Sequence, residues 1–305
     1  MIIYNKKIYL NNMNSMNNIY HVSLKGKRAK NEDRHTIINN LHNNLNNNLN
    51  NNLNNNLNNN LFNIDENLAP INFFGVYDGH GGDFVSNFLA KTLQKLFIDK
   101  RINYPLSKEY INQAFKYLQQ SILKKHYFSK ATQCGSTCLL GIHYIKNNID
   151  YLTIINTGDT RSVLCRNNFA IPLSKDHKPM WPEEKRRIEN LGGQIILDDA
   201  DWRIEGLSVS RAFGDFDAEP YLTNMPDIFR YKLDKNDKFI VFACDGLWDV
   251  LDNQDVVNFI LNECYDTDLI TRINKNTNIA KKLGEYALKR GSSDNLTIIV
   301  YFLDN

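Results

Sequence analysis

Apolar positions along the chain follow two rhythms. Short runs rich in β-branched and aromatic residues, punctuated by glycine or polar residues, predict strands: "IYHVSLKG", "INFFGVYD", "STCLLGIHYI", "IDYLTIINTGD", "RSVLCRNN", "KFIVFACDG" and "NLTIIVYFL". Between them, "DFVSNFLAKTLQKLF" and "KEYINQAFKYLQQSILKKH" space their apolar residues by three and four, which predicts amphipathic helices. "WPEEKRRIENLGG" carries proline at its first helical position, acids in its first turn and glycine at its end. "DNQDVVNFILNECY" and "NIAKKLGEYALKRG" predict two later helices. Strands cluster with strands and helices with helices, so the pattern favours an α+β layered sandwich over a doubly wound sheet.

One stretch breaks both rhythms. In "NNLHNNLNNNLNNNLNNNLNNN" leucine recurs every fourth position among asparagines, within an insertion placed at about 39–63. A repeat of four drifts around a helix of 3.6 residues per turn, and asparagine is a poor helix former. The tract is expected to be a disordered surface insertion that interrupts a domain without dividing it, because the strand-like runs on both sides need partners. Residues 1–18 are expected to be a disordered N-terminal segment, and 19–305 one catalytic domain.

Candidate chemistry appears where the strand-like runs stop. Asp78 ends "FFGVY", Asp159 ends "YLTIINTG", Asp245 ends "FIVFAC", and Asp294 immediately precedes "NLTIIVYF". Glu32 and Asp33 follow the first run in "GKRAKNED". Taken singly, each Asp-Gly reads as a turn and each remaining aspartate as a cap. Were antiparallel neighbours to bring the tips together, the carboxylates would repel strongly unless protonated or joined by a cation. Hard divalent ions suit all-oxygen sites, and Mg²⁺ accepts only one or two carboxylates, so many carboxylates point to more than one ion. Paired ions about 3.5–4 Å apart can share a carboxylate and acidify water between them. Gly79, with no side chain, lets a backbone carbonyl approach the same cluster. His80 stands where an acid could protonate a leaving oxygen, and Arg28 offers the planar fork that a phosphate requires. The residues alone therefore suggest a metal-dependent hydrolase acting on a phosphoester.

Composition narrows the setting. With 305 residues, 42% of them hydrophobic, the chain can bury a full core. Its net charge of +2 gives no electrostatic reason to bind nucleic acid or a membrane surface. The cysteines at 134, 138, 165, 244 and 264 lack paired zinc-site spacing and read as reduced core residues. The N-terminal run is broken by lysines, no later run reaches membrane-spanning length, and Ile2 stands where myristoylation needs glycine. The expectation is a cytoplasmic or nuclear monomer.

At these same residues the chain resembles the metal-dependent serine/threonine protein phosphatases of type 2C. The stretches that carry the likeness are "RAKNEDR", "FFGVYDGHGG", "GSTCLLGI", "NTGDTRSVL", "LSKDHKP" with "EKRRIENLGG", "GLSVSRAFGD", "FIVFACDGLWDVL" and "GSSDNLTIIVYF". They occur in family order over about residues 19–303. The resemblance implies an α-β-β-α sandwich of two packed antiparallel sheets flanked by antiparallel helices, with the metal site at one end. It implies Asp78 as the carboxylate bridging two Mg²⁺ or Mn²⁺ ions, Gly79 as a carbonyl ligand, and Asp245 and Asp294 as further ligands of the first ion. Glu32 and Asp33 would hold metal-bound waters, Asp159 with Asp245 a weaker third ion, and Asn295 would orient its neighbour or a water. Arg28 would bind phosphate and His80 act as general acid. The implied activity is hydrolysis of phosphoserine and phosphothreonine in phosphorylated proteins, by direct attack of a water between the two ions. A flap beside the site is implied at about 176–225. Thr160 stands where many members have serine, a change not expected to matter. The alternative is an inactive pseudophosphatase scaffold of the same fold, which should have lost ligand aspartates; a binding domain with only a structural cation would leave Arg28 and His80 unexplained.

Overall fold

The computed structural model describes residues 18–41, 69–98, 103–126, 133–198 and 201–303. Nearly all of the expected N-terminal segment and the Asn/Leu tract from residue 42 onward lie outside them. Leu41, inside the expected insertion, is 1% exposed and belongs to the same buried cluster as Ile71 and Phe73, so the core extends past the boundary set at residue 39.

The first half of the chain contains β1 (Ile19–Leu24), β2 (Arg34–Ile38), β3 (Ile71–Tyr77), β4 (Gly79–His80), α1 (Phe84–Thr92) and α2 (Lys108–His126). Strands β5 (Gly135–Ser136), β6 (Cys138–Lys146), β7 (Ile149–Thr157), β8 (Arg161–Arg166) and β9 (Phe169–Pro172) follow. Then come α3 (Pro182–Asn190), β10 (Ile196–Asp198), β11 (Asp201–Arg203), β12 (Phe213–Gly214) and β13 (Asp227–Lys232). The chain closes with β14 (Asp237–Ala243), α4 (Asp245–Trp248), α5 (Asn253–Cys264), α6 (Ile279–Lys289) and β15 (Leu296–Phe302).

Two five-stranded antiparallel sheets, ordered β1-β15-β14-β8-β9 and β13-β7-β6-β3-β2, carry the fold. Side-chain alternation along β3 shows how they stack. Phe74 and Val76 share a buried cluster with Ile240, Phe242, Ile299 and Tyr301 of the opposite sheet. Phe73 and Tyr77 point the other way, into a cluster with Val85 and Leu89 of α1 and Ile111 and Phe115 of α2. The outer face of the other sheet is covered in turn by α5 and α6 through Val257, Ile260, Ala280 and Leu283. The result is the α-β-β-α sandwich, and burial on both faces explains why the strand sequences read as continuous apolar runs.

Strand polarity gathers the carboxylates. Strands β3 and β7 both run antiparallel to β6, so their C-terminal ends, just before Asp78 and Asp159, share one edge. In the other sheet β14 ends beside the start of β15, pairing Ala243 with Ile298, which places Asp245 and Asp294 at one end of that sheet. Leu24 pairs with Leu296 and Arg34 with Tyr77, so the β1–β2 loop carrying Glu32 and Asp33 crosses the same end.

The differences from expectation lie at edges. The helix expected over 83–97 ends at Thr92 and tightens to a 3₁₀ turn at Leu93–Phe97. Strands β2, β9 and β13 carry no strong pattern; all three lie at sheet edges with burial intermediate or exposed throughout, as does β1, which its sequence does mark. Asp245 opens α4 two residues beyond β14.

Gly141 lies opposite Phe74 on β6, and a Cβ there would sit 2.4 Å from the Phe242 ring. Gly141→Ala should therefore lower the free energy of unfolding by about 1–3 kcal/mol through overpacking. Urea denaturation would measure it, and Phe242→Leu in the same chain should recover part of the loss. An unchanged midpoint would mean the sheets are not packed through this contact.

Candidate active site

The cleft at the end of the sandwich has a volume of about 680 Å³ and is lined by Arg28, Asp78, His80, Asp159, Asp245 and Asp294 among others. Glu32 and Gly79 also line it. Asp33 lies behind this lining, buried with Asp78 and the thiol of Cys244.

Gly79 makes the arrangement possible, since a Cβ there would lie 2.4 Å from the Glu32 carbonyl oxygen and 2.8 Å from Ser86 Oγ. Glu32 is fixed on both sides: its N–H donates to Asn295 Oδ1 at 2.8 Å and its carbonyl accepts from Ser86 Oγ at 2.5 Å. The Gly82 N–H donates to Glu32 Oε2 at 3.2 Å. Asn295 also donates through Nδ2 to the carbonyls of Lys25 and Lys30 at 2.8 and 2.9 Å, so its visible work is to staple the loop. Thr137 clamps Asp78, accepting its N–H on Oγ1 at 3.1 Å and donating its own N–H to its carbonyl at 2.9 Å. Thr160 supports that clamp from beneath, its hydroxyl 2.6 Å from the Thr137 hydroxyl.

The carboxylates converge closely. Oxygens of Asp78, Asp159 and Asp245 lie within 4.8 Å of one another. Burial, then the charges of Asp245, Asp33 and Asp159, push the Asp78 carboxyl well above its usual range. Burial, then Asp159 and Asp249, do the same to Asp245. Asp33 is 2% exposed with neither carboxylate oxygen in a well-formed hydrogen bond, and burial raises it to about 6 against the weaker, opposing influence of the nearby Thr297 and Cys244 side chains. Orphaned buried oxygens of this kind are relieved by a cation. The Cys244 thiol is raised well above its usual range by burial and the neighbouring carboxylates, which keeps it protonated and leaves an all-oxygen donor set. Such a set fits Mg²⁺ or Mn²⁺ rather than zinc or copper.

Charged groups occupy the rim. Arg28 Nη2 lies 2.6 Å from Asp294 Oδ2, with the arginine side chain 62% exposed, so the expected phosphate ligand rests on an expected metal ligand. His80 Nε2 is 2.7 Å from Asp215 Oδ2. Burial alone would lower the His80 pKa, but that hydrogen bond and the Asp215 charge outweigh it, leaving it raised. Lys178 Nζ donates to Asp159 Oδ2.

Sequence reasoning missed Asp215, Lys178, Thr137 and Asp249. Asp215 ends "AFGD", another Gly-Asp pair, and takes a left-handed backbone with φ 46° that asparagine and aspartate tolerate. Asp249 lies one helical turn beyond Asp245, a spacing visible in "DGLWD". Thr137 and Lys178 carry no signal apart from lying in family-like stretches.

Known proteins share this fold. The family model described as protein phosphatase 2C matches residues 20–296. A PP2C-like domain-containing protein of Acanthamoeba polyphaga mimivirus is 47% identical over 167 residues, covering 50% of this chain and 93% of that protein. The human integrin-linked kinase-associated serine/threonine phosphatase 2C is 33% identical across 92% of this chain and 71% of its own length. Among solved structures, a serine-threonine phosphatase 2C from Toxoplasma gondii superposes with a TM-score of 0.72 at 22% identity, covering 93% of this chain and 94% of that one. The structural likeness carries the fold, while the family model and the human relative carry the descent: the chain belongs to the protein phosphatase 2C family of serine/threonine phosphatases.

Proposed function

We propose that the chain hydrolyses phosphoserine and phosphothreonine in phosphorylated proteins, using Mg²⁺ or Mn²⁺ held at the end of the sandwich. The observation that carries this reading is the group of carboxylates, Asp159 buried and Asp78 and Asp245 half-buried, within 4.8 Å of one another, with the Asp78 and Asp245 carboxyls both raised first by desolvation and then by neighbouring aspartates. Divalent ions bound there would supply Lewis acidity and make water a competent nucleophile near neutral pH. Asp78, the Gly79 carbonyl, Asp245 and Asp294 would hold them, with Glu32 and Asp33 ordering water around them. The exposed Arg28 guanidinium would receive the phosphate, keeping donors free beyond the one used on Asp294.

His80 supplies the proton. A serine or threonine alkoxide is a strong base and leaves poorly without one, and the Asp215 hydrogen bond and charge, outweighing burial, shift His80 toward its protonated form. Asp215 acts through His80 as a positioning residue, fixing Nε2 at 2.7 Å.

Release of phosphate from a phosphothreonine peptide should vanish after chelation and return with Mn²⁺. Asp245→Asn should remove most of that turnover across a full Mn²⁺ titration while the chain still melts cooperatively. Wild-type turnover at limiting Mn²⁺ would reject Asp245 as a ligand.

His80→Ala should slow the phosphothreonine peptide by roughly 10² to 10⁴, the usual worth of general acid catalysis. Turnover of p-nitrophenyl phosphate, whose leaving group needs no proton, should fall much less. Asp215→Asn should produce the same substrate-dependent split, smaller in size, without loss of Mn²⁺ affinity. Equal losses on both substrates with weakened metal binding would show that His80 and Asp215 only shape the turn beside Asp78.

A further inference from the structure

Beside Asp78 and Asp245 the cleft also holds Asp159. It is 2% exposed, and its charge acts on Asp245 and on Asp249, the residue that follows α4. This cluster already contains a cation, since Lys178 Nζ donates to Asp159 Oδ2. Burial would lower the lysine, but Asp159, followed by Asp245 and Asp249, holds it well above its ordinary range.

The backbone beneath this ammonium is fixed. His177 N–H donates to the Gly158 carbonyl at 3.0 Å, and Gly158 N–H donates back to His177 Nδ1 at 3.0 Å. Asn156 Nδ2 bonds the carbonyls of Gly158 and Lys175 at 3.1 and 2.9 Å, and Ser210 N–H bonds the His177 carbonyl at 2.9 Å. The lysine stem therefore starts from a rigid point beside Asp159, while its side chain, 29% exposed, has room to swing toward solvent.

We infer that Lys178 is a tethered counter-ion of the outer carboxylates, seated on Asp159 in the place of a divalent cation and displaced when one binds there. This rests on the metal-dependent reading of the site. Lys178 occupies Oδ2 of Asp159, and an ammonium and a divalent ion competing for that one oxygen repel each other strongly. A cation that takes Oδ2 must therefore displace Lys178, so the outer position binds more weakly than its carboxylates alone would dictate. The lysine in turn keeps Asp159 compensated while no ion is present.

The test counts Mn²⁺ bound to the intact chain by the electron paramagnetic resonance signal of free Mn²⁺, with Mn²⁺ alone as the probe, in wild type, Lys178→Met, Asp159→Asn and the double variant. Lys178→Met should tighten the weakest class of Mn²⁺ sites by about tenfold or more, the equivalent of about 1.4 kcal/mol, and leave the tighter class unchanged. The gain should disappear in the Asp159→Asn background. In chelator the variant should melt below wild type, because Asp159 has lost its counter-ion, and its rise in Tm on adding Mn²⁺ should be the larger. Weak-class binding that is unchanged or weaker in a cooperatively melting Lys178→Met chain would overturn the inference, as would a gain that survives Asp159→Asn. Should Lys178→Met not fold, Lys178→Gln carries the same comparison with the same outcomes. Absence of Mn²⁺ binding by wild type would instead overturn the metal reading itself.

Discussion

Carboxylates crowded against one another, and partly withdrawn from water, are the constraint around which this end of the molecule is arranged. Removing a carboxylate from water costs several kcal/mol even after relaxation, and a like neighbour adds to the cost. Asp78 and Asp245 meet both conditions, each raised first by burial and then by neighbouring aspartates. Only a scaffold that cannot relax can hold such groups together. The two sheets supply it through packed aromatic contacts, Phe74 lying 5.4 Å from Phe242 and 4.8 Å from Tyr301 between ring centroids. Antiparallel pairing then leaves the loops that bear the aspartates no choice of edge.

A second buried ionic group in the same chain acts as an internal control. Glu184 on α3 is 3% exposed, yet it accepts from Arg211 at 2.5 Å and from Arg187 at 2.9 Å. Burial alone would raise it, but Arg211 and Arg187 hold it at about 2. Asp227 continues the chain of pairs to Arg211 and His177, and it too is held at about 2. At Glu184 the arginines, and at Asp227 His177 and Arg211, outweigh burial and the pKa falls. At Asp33, Asp78 and Asp245 burial and neighbouring aspartates win and the pKa rises. That contrast within one fold is a physical ground for assigning this group to cations from outside the chain.

The core of this plan was legible in the sequence because it is written in periodicity. Strands β3, β6, β7, β14 and β15 are buried on both faces and read as unbroken apolar runs, and the aspartates at their tips stand out by position. Two edge strands were not legible: β2 in "RHTII" and β13 in "DIFRYK" are half-buried and mix charge with apolar residues, so no alternation survives, whereas the edge strand β1 was read in "IYHVSLKG". The pairing of His80 with Asp215 joins positions 135 residues apart, and that of Lys178 with Asp159 depends on a turn held by His177. Local spacing carries no record of either. The sequence also could not show that Asp33 lies behind the cleft lining, because its place follows from Arg34 pairing with Tyr77 at the sheet edge.

The ion pair between Arg28 and Asp294 shows why contact in the resting chain and role in the reaction need not coincide. With the arginine 62% exposed and the aspartate 30%, the pair sits where solvent screens it and holding it is worth about 0–1 kcal/mol. A phosphate dianion is a stronger partner for a guanidinium than one screened carboxylate, since it offers more acceptor oxygens in a geometry the fork can match. The exchange needs little movement, because Arg28 and Asp294 line the same cleft. Asp294 would at the same time be released to a cation, so substrate phosphate and divalent ion would draw the pair apart from opposite ends. Weak pairing at the rim and crowded carboxylates beneath it are thus two parts of one electrostatic arrangement.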